Sequence, residues 1–494
     1  MRHTIFSGAL IVVAMRWTDR LIGLFSTLVL ARLLAPGDFG VVAMASVVVG
    51  LADVLLDLGV NVALIQNRDA DEEDYSTAWT IRLIQGAIAG ALILLAAPFS
   101  AEYYDDPRVV DVMQIMALTI FLGGFENIGV VAFQKKMQFG LDFKFFFLKR
   151  LVGVFVTLGL ALWLHSYWAM IIGALAGRTA GVALSFAMHP LRPRITLSRF
   201  RTLWSFSQWV LVRNIGGYAD TKLDKFVLGG RSDAATVGGY TLADEIASIP
   251  TSELLAPLGR VLFPAFVDAR HDPVLLANTF LRALAIQALI VIPAGIGIAL
   301  VAEPLVLTLL GQQWVIAIQF IEIIALLQIV LVLSHAASYL LLAVGKVKLL
   351  SIYTWGQVAI FIVLAMTLSK NVGAVGIAWL RFSVAVFGLF CFIVIVLKNF
   401  PELSAKDFVR AIFRPILAAG LMASVVINSN FVSVSQPVLL LTLVFTGAIT
   451  YCVAILLLWR IAGCPDGPES YLLEKIHVVE RVIRFLGCST EKKR

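Results

Sequence analysis

Apolar runs long enough to cross a lipid bilayer recur along the chain from Ile5 to Trp459, separated by short polar stretches. A membrane-spanning helix needs about 20 mostly apolar residues, so each run predicts one span. The predicted fold class is therefore all-α, a polytopic membrane protein with fourteen transmembrane helices. These helices are predicted near residues 4–30, 38–63, 78–99, 110–133, 145–165, 167–188, 204–229, 237–262, 279–302, 315–344, 349–369, 373–397, 411–430 and 437–459.

The composition supports this class, because 60% of the residues are hydrophobic and 14% are charged, whereas a soluble domain has about 25% charged residues. Basic residues concentrate in alternate loops. With the amino terminus inside, fifteen Lys or Arg residues fall in cytoplasmic loops and four in the opposite loops. This asymmetry predicts a multi-pass membrane protein with both termini in the cytoplasm. Short basic loops without a basic amphipathic face argue against a nucleic-acid partner.

Charged residues inside the predicted spans are informative, since each costs about 2.5–3.5 kcal/mol at mid-bilayer and should face protein or water. Spans 1 and 7 both carry mixed charges, and spans 2 and 8 both carry acids. Similarity six helices apart predicts two six-helix repeats, the architecture of many alternating-access transporters. The predicted domains are an amino-terminal lobe at 1–203, a carboxy-terminal lobe at 204–400, helices 13 and 14 at 401–460, and a cytoplasmic tail with an interfacial amphipathic helix at 461–494.

The segment ARLLAPGDFGVVAMASVVVGLADVLLDLGVNVALIQ, residues 31–66, resembles the signature of the polysaccharide transporter family. These are the Wzx-type oligosaccharide flippases of the multidrug/oligosaccharidyl-lipid/polysaccharide superfamily. Further matches lie at residues 103–108, 212–214, 239–243, 259–264 and 311–314. The resemblance covers roughly residues 1 to 400 and looks closest to the branch that includes the colanic acid and succinoglycan exporters.

This resemblance implies a fourteen-helix, two-lobed, V-shaped fold that works in exopolysaccharide or lipopolysaccharide biosynthesis. It implies a flippase of the bacterial inner membrane that moves undecaprenyl-pyrophosphate-linked oligosaccharide repeat units from the cytoplasmic to the periplasmic leaflet, driven by an ion gradient. No phosphate-binding loop of the form G-x-x-x-x-G-K-[ST] occurs in the sequence, which agrees with a mechanism without ATP. The expected partners are the lipid-linked oligosaccharide, membrane lipid and proteins of polysaccharide polymerisation or assembly. No cofactor is expected apart from H⁺ or Na⁺ as the coupling ion.

A pyrophosphate head needs cationic groups in a wet cleft, and Arg provides charge-assisted bidentate hydrogen bonds. The candidate substrate-binding residues are Arg16, Arg20, Arg213, Lys222 and Lys225, followed by Arg82 and Arg381. The alternative is that the arginines pair with nearby acids as structural bridges and that the lysines snorkel to an interface. A cytoplasmic interfacial anchor is predicted from the cluster Phe143, Phe145, Phe146 and Phe147 beside Lys144, Lys149 and Arg150.

Carboxylates in a transport pathway can bind a coupling proton or sodium ion, because a low-dielectric cavity favours their protonation. The candidate acids are Asp19, Asp53, Asp57, Glu126, Asp220, Asp224, Asp244 and Glu245. Their alternative role is that of counter-ions to the neighbouring arginines. No metal site is expected.

Two other functions compete with a flippase. A multidrug or organic-cation efflux antiporter of the same superfamily would share the two-lobed core, but the cationic spans 1 and 7 would repel its substrates. A membrane-embedded glycan polymerase or ligase would need a sizeable outward loop with catalytic residues. The predicted outward loops are short and contain no such arrangement, so an enzyme is not expected.

Overall fold

The computed structural model describes residues 2–56, 64–65, 70–429 and 435–464, with side chains left out at 2–14, 16, 55–56, 201–213, 254–257, 260 and 369–371. Of the residues described, 87% are helical. No strand occurs in the described ranges. The predicted all-α class is confirmed. Asp57 and the predicted tail helix lie outside the described residues.

The first of two compact units comprises Met1–Thr241. Long apolar segments bounded by Pro, Gly and acidic residues form its helices, and α3 begins with a capping box between Asp71 and Asp74. The helices are α1 (Arg2–Leu33), α2 (Pro36–Leu56), α3 (Glu72–Tyr104), α4 (Arg108–Gly124), α5 (Val131–Lys135), α6 (Phe139–Leu164), α7 (Trp168–Met188), α8 (Phe200–Gly229) and most of α9 (Ala234–Ala247).

The second unit comprises Leu242–Arg494. After α9, a π-helical turn at Thr251–Leu255 leads into α10. The remaining helices are α10 (Ala256–Ala269), α11 (Pro273–Leu300), α12 (Ala302–Leu305), α13 (Ala317–Ala343), α14 (Val347–Leu368), α15 (Val372–Asn399), α16 (Ala405–Asn428) and α17 (Gln436–Ile461). Gly373, the second residue of α15, has φ of 62° and marks the kink between α14 and α15. The predicted relation of two six-helix repeats stays a prediction.

Ten helices in the described ranges are long and apolar enough to cross a bilayer, and α4 with α5 makes an eleventh if the bent pair is one span. Three further predicted spans coincide with helices outside this set. Helices α1 and α8 are long but carry several charges, and the eighth span is divided into α9 and α10, each 14 residues long. The chain is a multi-pass membrane protein, and the count of fourteen stays a prediction.

The fourth predicted span is not the continuous helix expected over 110–133. After Gly124 the chain turns by 67° and continues through a short 3₁₀ turn at Ile128–Val130 into α5. Adjacent Gly123 and Gly124 give the backbone freedom to bend here. The period of the apolar residues does not show the break, because they continue on both sides of it.

Small residues allow close helix packing in the first unit. Helices α6 and α7 approach at Gly153 and Gly177, where an added β-carbon on Gly177 would lie 3.2 Å from the Cα of Gly153. Such contacts are typical of membrane helices, which gain little from apolar burial against each other. The second unit has an aromatic and aliphatic core instead, in which Phe280 contacts Phe266 and Phe408 with ring centroids 6.5 and 5.4 Å apart.

Candidate functional site

The break between α4 and α5 is surrounded by polar side chains from neighbouring helices. Its carbonyl groups have lost their helical partners and must find others within a bilayer. The Gly123 carbonyl accepts from the Glu126 amide at 3.3 Å and from an Arg82 guanidinium nitrogen at 3.5 Å. The Trp79 indole N–H donates to the Phe125 carbonyl at 3.4 Å. These bonds compensate the broken helix.

Asn127 closes the break from the other side and is fully buried. Its backbone N–H donates to the Ser185 hydroxyl at 2.9 Å, and its side-chain amide donates to the Leu191 carbonyl at 2.7 Å. Its side-chain oxygen accepts from the Gly129 amide at 2.9 Å, which caps the short 3₁₀ turn. The break is thus a defined structure tied to α7 and to the segment that follows it.

An ion pair between a partly buried lysine and a buried acid lies beside the break. The Lys149 ammonium on α6 is 2.8 Å from a carboxylate oxygen of Glu126. The stem of Lys149 crosses Gly181 on α7, where an added β-carbon would lie 2.8 Å from its Cδ and Cε atoms. The ammonium lies over the ring of Phe145, which is itself fully buried. The predicted interfacial anchor is therefore wrong for Lys149 and Phe145, because their position on α6 faces other helices.

Two arginines converge on Gly123. Arg82 donates to its carbonyl, and an added β-carbon at Gly123 would lie 3.0 Å from the Cζ atom of Arg178. Arg178 lies halfway along α7 and is partly buried. Within the part of the chain whose side chains are described, no ion pair or hydrogen bond of its guanidinium is found. We call Arg82, Glu126, Lys149 and Arg178 the Gly123 cluster.

Sequence reasoning found Arg82 and Glu126 but missed Lys149 and Arg178. Arg178 stands at the centre of an apolar run, so the same test that selected Arg82 could have selected it. Lys149 lies near the start of its predicted span at 145–165. Its position at a buried acid follows only from the packing of α6 against the break.

The predicted residues on α1 lie near α6. The Asp19 carboxylate is 3.4 Å from the Arg150 guanidinium, and both side chains are largely exposed. An added β-carbon at Gly23 would lie 3.0 Å from Arg150. Arg20 is partly buried. The side chains of Arg16 and Arg213 lie outside the described residues.

A second group of predicted residues lies on α8. The buried Asp224 carboxylate accepts a hydrogen bond of 2.6 Å from the Tyr240 hydroxyl on α9, and Lys225 is buried beside it. Asp220 and Lys222 are partly buried. On α2, Asp53 is exposed. Of the predicted residues, Arg82 and Glu126 meet at the break, while those of α8 lie along a separate helix.

The predicted residues of the second unit differ in burial. Arg381 on α15 is 5% exposed, and its guanidinium lies 5.9 Å from the centre of the Phe361 ring on α14. Asp244 and Glu245 on α9 are partly buried. The roles of all these residues in binding or coupling stay predictions.

His189 and Asp106 are among the groups outside the spans whose pKa values are shifted. Burial lowers the pKa of His189, and the nearby Lys136 and Arg192 lower it further. Its neutral ring accepts a hydrogen bond of 3.2 Å from the Leu191 amide at Nδ1. Burial acts to raise the pKa of Asp106. Hydrogen bonds from the side chain and amide of Arg108, together with the positive charge of Arg108, outweigh burial and lower the pKa of Asp106. Asp106 therefore stays ionised at neutral pH.

The Gly123 cluster contains three cations, Arg82, Lys149 and Arg178, and one carboxylate, Glu126. Such a cluster can hold a doubly charged anionic group through charge-assisted hydrogen bonds. Among the described residues, no group of three or more His, Cys, Asp or Glu side chains could hold a metal ion. The chemistry that this charge supports at the break is anion binding.

The sequence profile of a family described as polysaccharide biosynthesis protein matches residues 29–319. The chain belongs to this family. The match covers more than half of the chain and includes the break, the Gly123 cluster and α8. It confirms the family resemblance that residues 31–66 indicate.

Curated relatives of this polysaccharide biosynthesis protein include three with descriptive names. The lipopolysaccharide biosynthesis protein WzxC of Escherichia coli K12 is 23% identical over 364 residues, 72% of this chain and 73% of WzxC. The teichuronic acid biosynthesis protein TuaB of Bacillus subtilis is 22% identical, over 81% of this chain and 84% of TuaB. The succinoglycan biosynthesis transport protein ExoT of Rhizobium meliloti is 26% identical, over 60% of this chain and 61% of ExoT.

Solved structures show the fold. The lipid II flippase MurJ has a TM-score of 0.74 at 13% identity and covers 91% of this chain and 98% of MurJ. A multidrug resistance transporter of the MATE family, in an inward-facing conformation, has a TM-score of 0.59 at 16% identity. It covers 78% of this chain and 96% of the transporter. The polysaccharide biosynthesis protein therefore has the fold of this transporter superfamily. The prediction that it is a transporter and not an enzyme is confirmed by this family assignment.

Proposed function

We propose that this protein is a flippase for undecaprenyl-pyrophosphate-linked oligosaccharide repeat units in the bacterial inner membrane. It moves them from the cytoplasmic to the periplasmic leaflet for exopolysaccharide or lipopolysaccharide assembly. The family and the names of its relatives support polysaccharide transport. The observation that carries the lipid-pyrophosphate proposal is the Gly123 cluster, a cationic group built around a broken span.

The cost of intramembrane charge supports a functional role for this cluster. A cation inside the hydrocarbon region costs free energy, up to about 2.5–3.5 kcal/mol at mid-bilayer. Lys149 is paired with Glu126, and Arg82 and Arg178 both reach Gly123. The bond from Arg82 also compensates the broken helix, whereas Arg178 makes no such bond among the described side chains. Two guanidinium groups suit a pyrophosphate diester, which has two negative charges.

The broken span supplies a second argument. Transporters commonly place substrate and coupling ions where a spanning helix is interrupted, because the interruption exposes polar backbone beside a cavity. The arginines at Gly123 have planar guanidinium groups that can bind two phosphate oxygens each. In this proposal they hold the pyrophosphate while the sugar and lipid parts are bound elsewhere.

Coupling to an ion gradient is part of the proposal. Glu126 and Asp224 are both buried, each with a hydrogen-bonding partner, Lys149 and Tyr240 respectively. A buried carboxylate exchanges a proton at a cost set by its partner. The contact with Lys149 equally supports a counter-ion role for Glu126, so the two roles must be separated by experiment.

The test replaces Arg178 by Ala and by Lys, and Arg82 by Ala. Arg460→Ala serves as the matched control, because Arg460 is an exposed arginine at the end of α17. At equal membrane levels, we expect loss of surface polysaccharide and accumulation of lipid-linked repeat units facing the cytoplasm for both Ala variants. The Lys variant should retain part of the activity, and the control should retain all of it.

Unchanged polysaccharide export in both Ala variants would overturn the assignment of the Gly123 cluster to pyrophosphate. The second measurement uses purified protein in vesicles that contain a fluorescent undecaprenyl-pyrophosphate oligosaccharide. Transfer of this lipid between leaflets should require Arg178. Transfer of a fluorescent organic cation instead would assign the protein to multidrug efflux.

A further inference from the structure

The segment after α7, residues 189–199, is an extended strap. It has no regular secondary structure up to residue 197 and ends in a turn. It is hydrogen-bonded along the first turns of α3. The Arg194 amide donates to the Ser76 hydroxyl at 3.2 Å, and the Thr196 amide donates to the Thr80 hydroxyl at 3.0 Å. The Leu191 carbonyl is held by Asn127. These bonds fix the strap against the unit instead of leaving it as a solvated linker.

The length of α3 sets the depth of the strap. Its 33 residues span about 50 Å, whereas the hydrocarbon core of a bilayer is about 30 Å thick. The apolar part of α3 begins at Ile81, and the preceding turns contain Glu72, Glu73 and Asp74. Ser76 and Thr80 therefore lie at the level of the lipid headgroups, and the bonded strap lies there too.

The outward face of the strap is both apolar and basic. The Ile195 side chain is 77% exposed and that of Leu197 is 49% exposed, although both are large and apolar. Arg192 and Arg194 are exposed on the same segment. Lys135, at the end of α5, lies 5.9 Å from the Tyr75 ring and so brings a further cation close to the same turns of α3.

Two of the acids near the strap already have a cationic neighbour. Arg199 lies 3.8 Å from Asp71 and 3.5 Å from Glu73, so these two carboxylates already face a cation at the end of the strap. The combination of exposed aliphatic side chains and basic residues at headgroup depth is typical of segments that bind anionic membrane surfaces. A basic residue near such a surface contributes about 1 kcal/mol.

We propose that residues 190–199 form an interfacial anchor that binds anionic phospholipids. Ile195 and Leu197 enter the boundary between headgroups and acyl chains, and Arg192 and Arg194 contact lipid phosphates. The anchor would hold the connection between α7 and α8 flat on the membrane. This inference does not depend on the transported substrate.

The experiment measures the depth of a nitroxide label by electron paramagnetic resonance. The four natural cysteines are replaced by Ser, and a single Cys is introduced as Ile195→Cys or, independently, Leu197→Cys. The full chain is placed in vesicles of phosphatidylcholine, with or without phosphatidylglycerol. Two labelled sites on α3 calibrate the depth. Glu72→Cys marks water, since Glu72 is exposed in the first turn, and Leu95→Cys marks hydrocarbon, since Leu95 is 68% exposed at mid-helix.

We expect the labels at 195 and 197 to lie between the two calibration depths when phosphatidylglycerol is present. They should shift toward water when it is omitted or when Arg192→Gln and Arg194→Gln are combined. Water-like accessibility at both positions in both vesicles would overturn the proposal and leave the face for a soluble acidic partner. A depth that does not respond to phosphatidylglycerol or to the arginine substitutions would overturn the anionic-lipid contact.

Discussion

The two units of the chain differ in what they bury. Seven charged side chains are buried among the described residues, and the first unit contains all but one of them: Asp74, Asp106, Glu126, Asp142, Asp224 and Lys225 lie there, and Arg381 lies in the second unit. The core of the second unit is formed by residues such as Phe266, Phe280 and Phe408. Buried charge is costly in a membrane protein, so its concentration in one unit locates the part of the chain in which polar chemistry is retained.

The ion pair at the break provides the sharpest test of this comparison. Lys149→Met should lower the free energy of unfolding by about 3–5 kcal/mol, because it leaves the buried Glu126 carboxylate without its cation. The change should appear as a lower thermal unfolding midpoint in detergent. Combining Lys149→Met with Glu126→Gln should restore part of the loss.

Arg150→Met is the matched control, since Arg150 is the next residue and pairs with Asp19, whose side chain is 65% exposed. Removing such an exposed pair should cost about 0–1 kcal/mol. Equal midpoints for Lys149→Met and Arg150→Met would contradict the view that the break depends on its buried charges.

A second prediction concerns close backbone contacts in the first unit. An added β-carbon at Gly40 would overlap the carbonyl group of Ala234 at the start of α9. Gly40→Ala should therefore force α2 and α9 apart and cost about 1–3 kcal/mol, as overpacking does. Gly37→Ala has no heavy atom within 4 Å of its added carbon and is the control. Thermal unfolding of the two variants measures the difference, and a similar midpoint for both would exclude this close approach.

The smallest expected effect is a dependence on acid pH at the loop between α3 and α4. The pKa of Asp106 is lowered in the folded protein, so its contribution to stability is fully present above its ordinary value of 3.8 and is lost as pH falls through the lowered value. Arg108→Ala removes the guanidinium hydrogen bonds, raises the pKa of Asp106 and moves this loss to higher pH. Unfolding midpoints measured from pH 6 downward, against Arg231→Ala as control, should show the shift; identical acid profiles would refute it.

The sequence allowed most helices to be placed, because a bilayer demands long apolar segments whatever the neighbouring chain does. The candidate site was predicted only in part. Arg82 and Glu126 were found because a charge in an apolar run is conspicuous. The break between α4 and α5 was not predicted, since Gly-Gly followed by Phe occurs within a run whose apolar character continues on both sides. The contact of Lys149 with Glu126 was not predicted either.

Family, helical class and membrane location were determined by the sequence alone, through residues 31–66 and the recurring apolar runs. The tertiary structure decided which charges meet. Arg178 reaches Gly123, Lys149 reaches Glu126 and the strap binds the first turns of α3, each across more than twenty residues of chain. Hydropathy records the cost of placing a group in lipid, but the partner that offsets this cost is set by the packing of one helix against another.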